Sequence, residues 1–144
     1  MKRRPSDAAV EAWVSLIRTE QVLLQKVEHD LAAAGLPPLE WYDVLLELER
    51  APERRLRHRD LHPRLLVAKY NLSRLIDRLE SKGLVRRSPV EGDARGAYIA
   101  ITEDGSALRR RMWPVYAAAI ERHFAGRLDA DDVARLAGIL QRLR

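Results

Sequence analysis

Between Leu84 and Ile101 the apolar period of this chain drops from about 3.6 to 2 and then recovers. Leu84-Val85-Arg86-Arg87-Ser88 and Ala97-Tyr98-Ile99-Ala100-Ile101 alternate as two antiparallel strands, with Pro89 to Gly96 as the loop between them. The segments on either side are patterned for helices. The chain is therefore expected to be mainly α with a small β-hairpin.

Punctuation residues bound the helices. Ser6 or Asp7 caps a long first helix in which Val10, Trp13, Val14, Ile17, Leu24, Val27 and Leu31 step by three and four, and Gly35 with Pro37-Pro38 stops it. Such a helix, about 27 residues and roughly 40 Å, is long for 144 residues and suggests one that reaches into a partner. A second helix runs from about Leu39 to Arg50 with Trp41, Val44, Leu45 and Leu48 inward. Leu56 reads as a single residue of strand, and a short third helix follows near Asp60 to Val67. Pro63 fits there either as an early residue that loses one hydrogen bond or as the first residue behind a weak His62 cap. A polar helix then spans about Lys69 to Ser81, closed by Lys82-Gly83. After the hairpin, Thr102 caps a helix carrying Leu108, Met112, Val115, Tyr116, Ala119, Ile120 and Phe124, which Pro114 should kink. The last helix starts at Asp129 and carries Val133, Leu136, Ile139, Leu140 and Leu143.

The polar helix carries the chemistry. Leu72, Leu75, Ile76 and Leu79 recur at i, i+3, i+4, i+7 and bury one face. The other face presents Lys69, Tyr70, Asn71, Ser73, Arg74 and Arg78, donors of the kind that reach base edges and phosphates in a DNA major groove. Charge points the same way. Residues 50–96 hold 13 Lys and Arg against 6 Asp and Glu, a net +7, whereas the other 97 residues hold 13 against 15, a net −2. A polyanion partner is the physical implication, a solvated basic surface the bland alternative.

Composition excludes other classes. With no cysteine there is no disulfide, no Cys-ligated zinc and no thiol redox sensor. No apolar run approaches the roughly 18 residues of a membrane span, and no apolar core follows the basic start. A cytoplasmic protein with no membrane partner is expected. His58 and His62 have a spacing that can grip a metal on a helix, but Pro63 and the lack of a third ligand leave no metal site expected. No phosphate-binding Gly-rich loop and no supported nucleophile–base pair occur, so neither an enzyme nor a cofactor is expected.

The first and the last two helices carry apolar stripes with little left in one chain to cover them, and packing between two chains would bury them. At this point the chain resembles the MarR family of winged helix-turn-helix regulators. Leu56-Arg57-His58-Arg59-Asp60-Leu61 through Leu72-Ser73-Arg74-Leu75-Ile76-Asp77-Arg78-Leu79-Glu80-Ser81-Lys82-Gly83-Leu84-Val85 is similar to its helix-turn-helix. Asp93-x-Arg95-Gly96 is similar to its wing motif, Leu84-Val85-x-Arg87 to the strand before it, and Ile101-Thr102-x-x-Gly105 to the return to the dimer helices. Ala68 and Arg59 depart from the family's usual Ser or Thr caps, each weakening a cap by something like 1 kcal/mol.

The resemblance implies one MarR-like domain over residues 1–144, with dimerisation helices at about 6–36 and 103–144 and a DNA-binding winged helix-turn-helix at about 39–101. It implies a homodimeric transcription regulator, usually a repressor, that binds a palindromic operator in double-stranded DNA and releases it when a small aromatic or phenolic anion binds. A winged-helix module for protein interaction, without operator binding, is the alternative. Asn71 and Arg74 are the expected base readers, Lys69 and Tyr70 reach a base edge or a phosphate, and Ser73 and Arg78 contact phosphates. Arg95 is expected in a narrow minor groove with Asp93 bracing it through a charge-assisted bond. Arg64, Arg86 and Arg87 are candidate neighbours of the DNA backbone, and Asp77 is expected to pair with Arg74 or Arg78. Trp13, Trp41, Tyr42 and Asp43 lie where the family's effector pocket would be walled. Trp13 with Asp43 is similar to the Trp and Asp of urate-sensing relatives, with core aromatics and a surface acid as the plain alternative.

Overall fold

The computed structural model describes every residue except Met1 and residues 68–70. The elements in chain order are α1 (Asp7–Ala33), α2 (Leu39–Arg50), β1 (Arg55–Arg57), α3 (His58–Leu61), α4 (Leu72–Ser81), β2 (Val85–Val90), β3 (Asp93–Ile101), α5 (Glu103–His123) and α6 (Ala130–Gln141). Two compact units result: Leu31–Val115, and Met1–Asp30 together with Tyr116–Arg144. The boundaries fall inside α1 and α5. No helix among the described residues is long and apolar enough to cross a membrane.

The central unit holds the sheet, in the order β1-β3-β2, antiparallel throughout. Leu56 faces Ile99 in one pairing and Val85 faces Ile101 in the other, so the alternating apolar side chains of the strands share one covered face. Leu45, Leu48, Leu61, Ile76, Leu79, Ile99 and Met112 are fully buried there. Each contributes about 1.5–3 kcal/mol by leaving water. Beside this core, Glu49 of α2 accepts a hydrogen bond from the Ser106 hydroxyl and pairs with Arg109, so α2 and the start of α5 are held by polar as well as apolar contacts. Thr102 caps α5 as expected: its Oγ1 accepts from the Gly105 N–H at 3.1 Å and donates to the Gly83 carbonyl at 2.6 Å. The helix continues through Pro114 to His123.

Three boundaries ahead of β2 differ from the sequence expectation, each for a local reason. β1 is three residues long rather than one, because pairing with β3 recruits Arg55 and Arg57 on either side of Leu56. The helix expected from Asp60 to Val67 is instead α3, ending at Leu61, followed by a tight turn over His62–Arg64 with Pro63 near its start, where a missing N–H is no loss. The chain is then extended at Leu65, and the next two amides leave helical pairing altogether: Leu66 and Val67 both donate to Asp43 Oδ2, at 2.7 and 2.8 Å. Finally, the polar helix begins at Leu72 rather than Lys69. Asn71 precedes it with a left-handed backbone (φ 53°), a conformation that Asn tolerates better than most residues.

The second unit is helical. Ser6, rather than Asp7, caps α1: its Oγ accepts from the Ala9 N–H at 3.1 Å. Asp129 caps α6 by accepting from the Asp132 N–H at 2.8 Å. Asp30 and His123 meet at 2.8 Å, with Arg122 at 3.5 Å from the same carboxylate oxygen. This unit leaves much of its apolar pattern uncovered. Val10, Trp13, Val14, Leu16, Ile17 and Val22 of α1 are exposed, and α6 buries no residue.

Candidate nucleic-acid interface

Helix α4 is divided cleanly by burial. Leu72, Leu75, Ile76 and Leu79 lie against the core, while Ser73, Arg74, Asp77 and Arg78 are exposed. Asn71 is exposed too, but it stands at the helix cap instead of on the helix face, and no side-chain hydrogen bond caps the first turn. Lys69 and Tyr70 fall outside the described residues.

The hairpin is longer than its sequence suggests, and its tip is elsewhere. The strands continue to Val90 and from Asp93, so the connection is Glu91-Gly92, with Gly92 at φ +78° in the region a tight turn requires. Asp93-Ala94-Arg95-Gly96 is therefore not the loop. Pro89 pairs with Ala97 and Val90 with Asp93, so Ala94, Arg95 and Gly96 bulge from β3 without partners on β2. Asp93 shapes this bulge, but not by gripping the arginine head group. Its Oδ1 accepts from the backbone N–H of Arg95 at 3.1 Å, an Asp-centred turn. Its other oxygen folds over Gly96, 2.7 Å from where a Cβ would sit, so a side chain at residue 96 would displace the carboxylate. The expected charge-assisted brace is replaced by a backbone brace, and the Arg95 side chain is exposed.

Arg87 joins the wing to α4. Its Nη1 lies 2.6 Å from Asp77 Oδ1 and 3.2 Å from Glu80 Oε1, its Nη2 donates to the Ser73 carbonyl at 3.3 Å, and its backbone N–H donates to Glu80 Oε2 at 2.8 Å. Asp77 thus pairs with Arg87 instead of Arg74 or Arg78. The consequence is electrostatic. Among the described residues Arg74, Arg78 and Arg95 have no carboxylate partner, whereas Arg87 has two. Three uncommitted guanidiniums on α4 and the wing suit phosphate and base acceptors, which lose nothing to an internal competitor.

Between α4, the wing and the β1–α3 corner lies a hollow of about 420 Å³ lined by Arg57, His58, Arg59, Ser73, Arg87, Asp93, Arg95 and Gly96. Sequence periodicity does not single out Arg57, and it leaves His58 with no expected role once a metal site is set aside. The signal was the basic run from Arg54 to Arg59, which acquires meaning once β1 is paired beside β3. Burial, then the Arg87 and His62 charges, hold the His58 imidazolium below its ordinary pKa.

The four residues proposed to line an effector pocket are placed differently from one another. Trp41 is half-buried on α2. Tyr42 is buried and stacked on Trp113, with ring centroids 6.1 Å apart and an interplanar angle of 20°. Asp43 is only 4% exposed and holds the two amides of Leu66 and Val67, so one of its oxygens is engaged in supporting the approach to α4. A surface acid it is not. Trp13 belongs to the helical unit and is 64% exposed.

Comparison with known proteins agrees with this geometry. The family model described as MarR family matches residues 34–96, the stretch from the end of α1 through the bulge. The HTH-type transcriptional regulator YkoM of Bacillus subtilis is 29% identical over 141 residues, 95% of this chain and 89% of that protein. AbsC, a MarR family transcriptional regulator from Streptomyces coelicolor, is 31% identical and superposes with a TM-score of 0.83 across 99% of this chain and 95% of its own. Sco3205 from the same organism, a MarR family transcriptional regulator solved in complex with DNA, is 28% identical with a TM-score of 0.84, covering 99% and 89%. These are transcription regulators, not enzymes. A buried-stripe helix with free arginines, a three-stranded wing and a match along nearly the whole chain together place this protein in the MarR family of DNA-binding transcription regulators.

Proposed function

We propose that the protein is a homodimeric repressor of the cytoplasm that binds a palindromic operator through α4 and the wing. The observation that carries this is the set of uncommitted cations, Arg74 and Arg78 on the exposed face of α4 and Arg95 on the bulge, next to an arginine that is fully committed. Asn71 and Arg74 read bases, Ser73 and Arg78 hold phosphates, and Lys69 and Tyr70 contact DNA just ahead of the helix. Arg95 enters the minor groove, where a narrow groove concentrates negative potential. Residues 6–36 and 103–144 serve dimerisation and residues 39–101 bind DNA, within a single MarR-like domain. The exposed apolar side chains of α1, and an α6 in which no residue is buried, support the dimer, since one chain leaves this surface in water. The complex of the similar Sco3205 with DNA supports the choice of ligand.

A small aromatic or phenolic anion releases the operator, with Trp13, Trp41, Tyr42 and Asp43 as candidate walls of its site. Asp43 gives this a physical route: a ligand that competes for its carboxylate frees the Leu66 and Val67 amides just ahead of α4.

A gel shift with the DNA upstream of the chain's own gene tests the proposal. A retarded complex that weakens steeply with salt is expected, because several phosphates release their counterions. Binding with no salt dependence, or none at all while the chain captures proteins, would favour a winged-helix interaction module.

A further inference from the structure

The hollow beside Arg95 has a use beyond the contacts already assigned. Its lining carries five cationic or titratable side chains, Arg57, His58, Arg59, Arg87 and Arg95, and one carboxylate, Asp93. The structure sorts them. Arg87 is paired with Asp77 and Glu80 of α4. Asp93 has one oxygen on the Arg95 amide and the other over Gly96. Arg59 lies 4.0 Å from Asp60 at the solvent edge. On β1, Arg55 is paired with Glu53 at 2.8 Å and lies 4.0 Å over the Tyr98 ring, which leaves Arg57, 5.9 Å from the same ring, as the strand's uncommitted cation. Arg57, His58 and Arg95 remain, on three elements that converge on one concave spot, with the Ser73 hydroxyl on its α4 side.

We propose that this hollow seats one backbone phosphate of the operator, with Arg57 and His58 as its donors beside Arg95, whose guanidinium is left for the adjoining minor groove. The proposal rests on the DNA-binding function above and adds to it two residues, Arg57 and His58, that lie outside both the reading helix and the β2–β3 hairpin. A phosphodiester offers two anionic oxygens to several donors, and a concave cationic wall meets that need better than a flat face. Because the contact is with the strand and not with a base, it positions α4 and carries no sequence information.

The imidazole makes the contact depend on pH. In the free protein, burial and the cations around His58, Arg87 of β2 and His62 of the turn after α3, favour its neutral form. Arg57 of β1, Arg59 of α3 and Arg95 of β3 add positive charge, while Asp93 is the acid in the lining and Asp60 lies outside it beside Arg59. A bound phosphate opposes these influences and favours the imidazolium, so binding takes up a proton and tightens as the pH falls.

The test follows the His58 imidazole by NMR in the full chain, alone and with a random-sequence duplex, alongside affinity at pH 6 and pH 8. Four histidines make assignment by single substitution practical. The duplex is expected to raise the His58 midpoint by about one pH unit, and wild type to gain about threefold to sixfold in affinity between pH 8 and pH 6 relative to His58→Gln. Arg57→Ala should flatten the salt slope by about one contact on every sequence tried. An unmoved His58 midpoint in a chain that still binds duplex with a steep salt slope would overturn the phosphate seat and leave DNA binding intact. A full shift with inorganic phosphate alone, to which duplex adds nothing, would make the hollow a small-anion site and overturn the proposal. A wild-type chain that binds neither random nor upstream DNA would remove the seat together with the function it rests on.

Discussion

The two units use the same kind of apolar pattern to opposite ends. In the central unit the stripe Leu72, Leu75, Ile76, Leu79 is buried in the core, its members at most 5% exposed. In the helical unit, Val10, Trp13, Val14 and Ile17 step along α1 with equal regularity and are all at least 36% exposed. Periodicity says that a face will be covered. It does not say whether the cover comes from the same chain. The charges differ in a parallel way: in the central unit carboxylates are spent on Arg87 and the α4 approach, leaving other arginines free, and this contrast marks out the proposed binding face.

The contrast can be broken at several points. Leu79→Ala should cost about 2–5 kcal/mol and lower the melting transition sharply, since a fully buried side chain leaves a cavity. If thermal unfolding were unchanged, the α4 stripe would not be the core described here. Ile17→Glu places a charge on the uncovered α1 stripe. It should leave the circular dichroism of the chain intact while weakening self-association by on the order of a hundredfold in sedimentation equilibrium. Equal dimerisation by this variant would show that α1 is not part of the interface. Arg95→Ala should reduce affinity for upstream DNA by roughly tenfold to a hundredfold with fold and oligomeric state unchanged, read by fluorescence anisotropy. Arg87→Ala removes a tie that is partly solvent-screened, so stability should fall by less than about 1 kcal/mol. Its DNA affinity should still drop, because the wing loses its link to α4. The smallest effect is in pH. His58 is held below its ordinary pKa, so the unfolded chain binds the proton more readily. Stability of the free protein should be constant above the unfolded value and decline as the pH falls toward the depressed folded value, a decline that His58→Gln should remove. A melt that gains stability on acidification in that window would contradict the direction.

Much of this fold was legible because hydrophobic period is a local property. The hairpin, the buried face of α4, the Thr102 cap and the Asp129 cap all follow from residues close in sequence. The ends of elements did not, because they depend on partners that arrive later. The strands lengthen to Val90 and Asp93 through mutual pairing, which moves Arg95 from a loop tip to a bulge. α4 starts at Leu72 behind the left-handed Asn71, and Leu66 and Val67 give their amides to Asp43, 23 and 24 residues away. One signal was available: an acid between Tyr42 and Val44 in an apolar helix must find donors if it is buried. Helix spacing offers Asp77 only its own neighbours one turn away, whereas the hairpin returns Arg87 to the same spot. For the site, types of residue were readable and their commitments were not. Sequence could name Arg74, Arg78, Arg87 and Arg95 as cations, but only tertiary pairing separates the occupied one from the free ones.

The most direct test of the central claim is the affinity of the full-length chain for its own upstream DNA as a function of salt, measured for wild type and Arg95→Ala. A steep fall in affinity with rising salt for wild type, and much weaker binding with the dimer preserved for the variant, is the predicted result. A flat salt dependence with equal affinity for both proteins would contradict the assignment of α4 and the wing as the DNA-binding face.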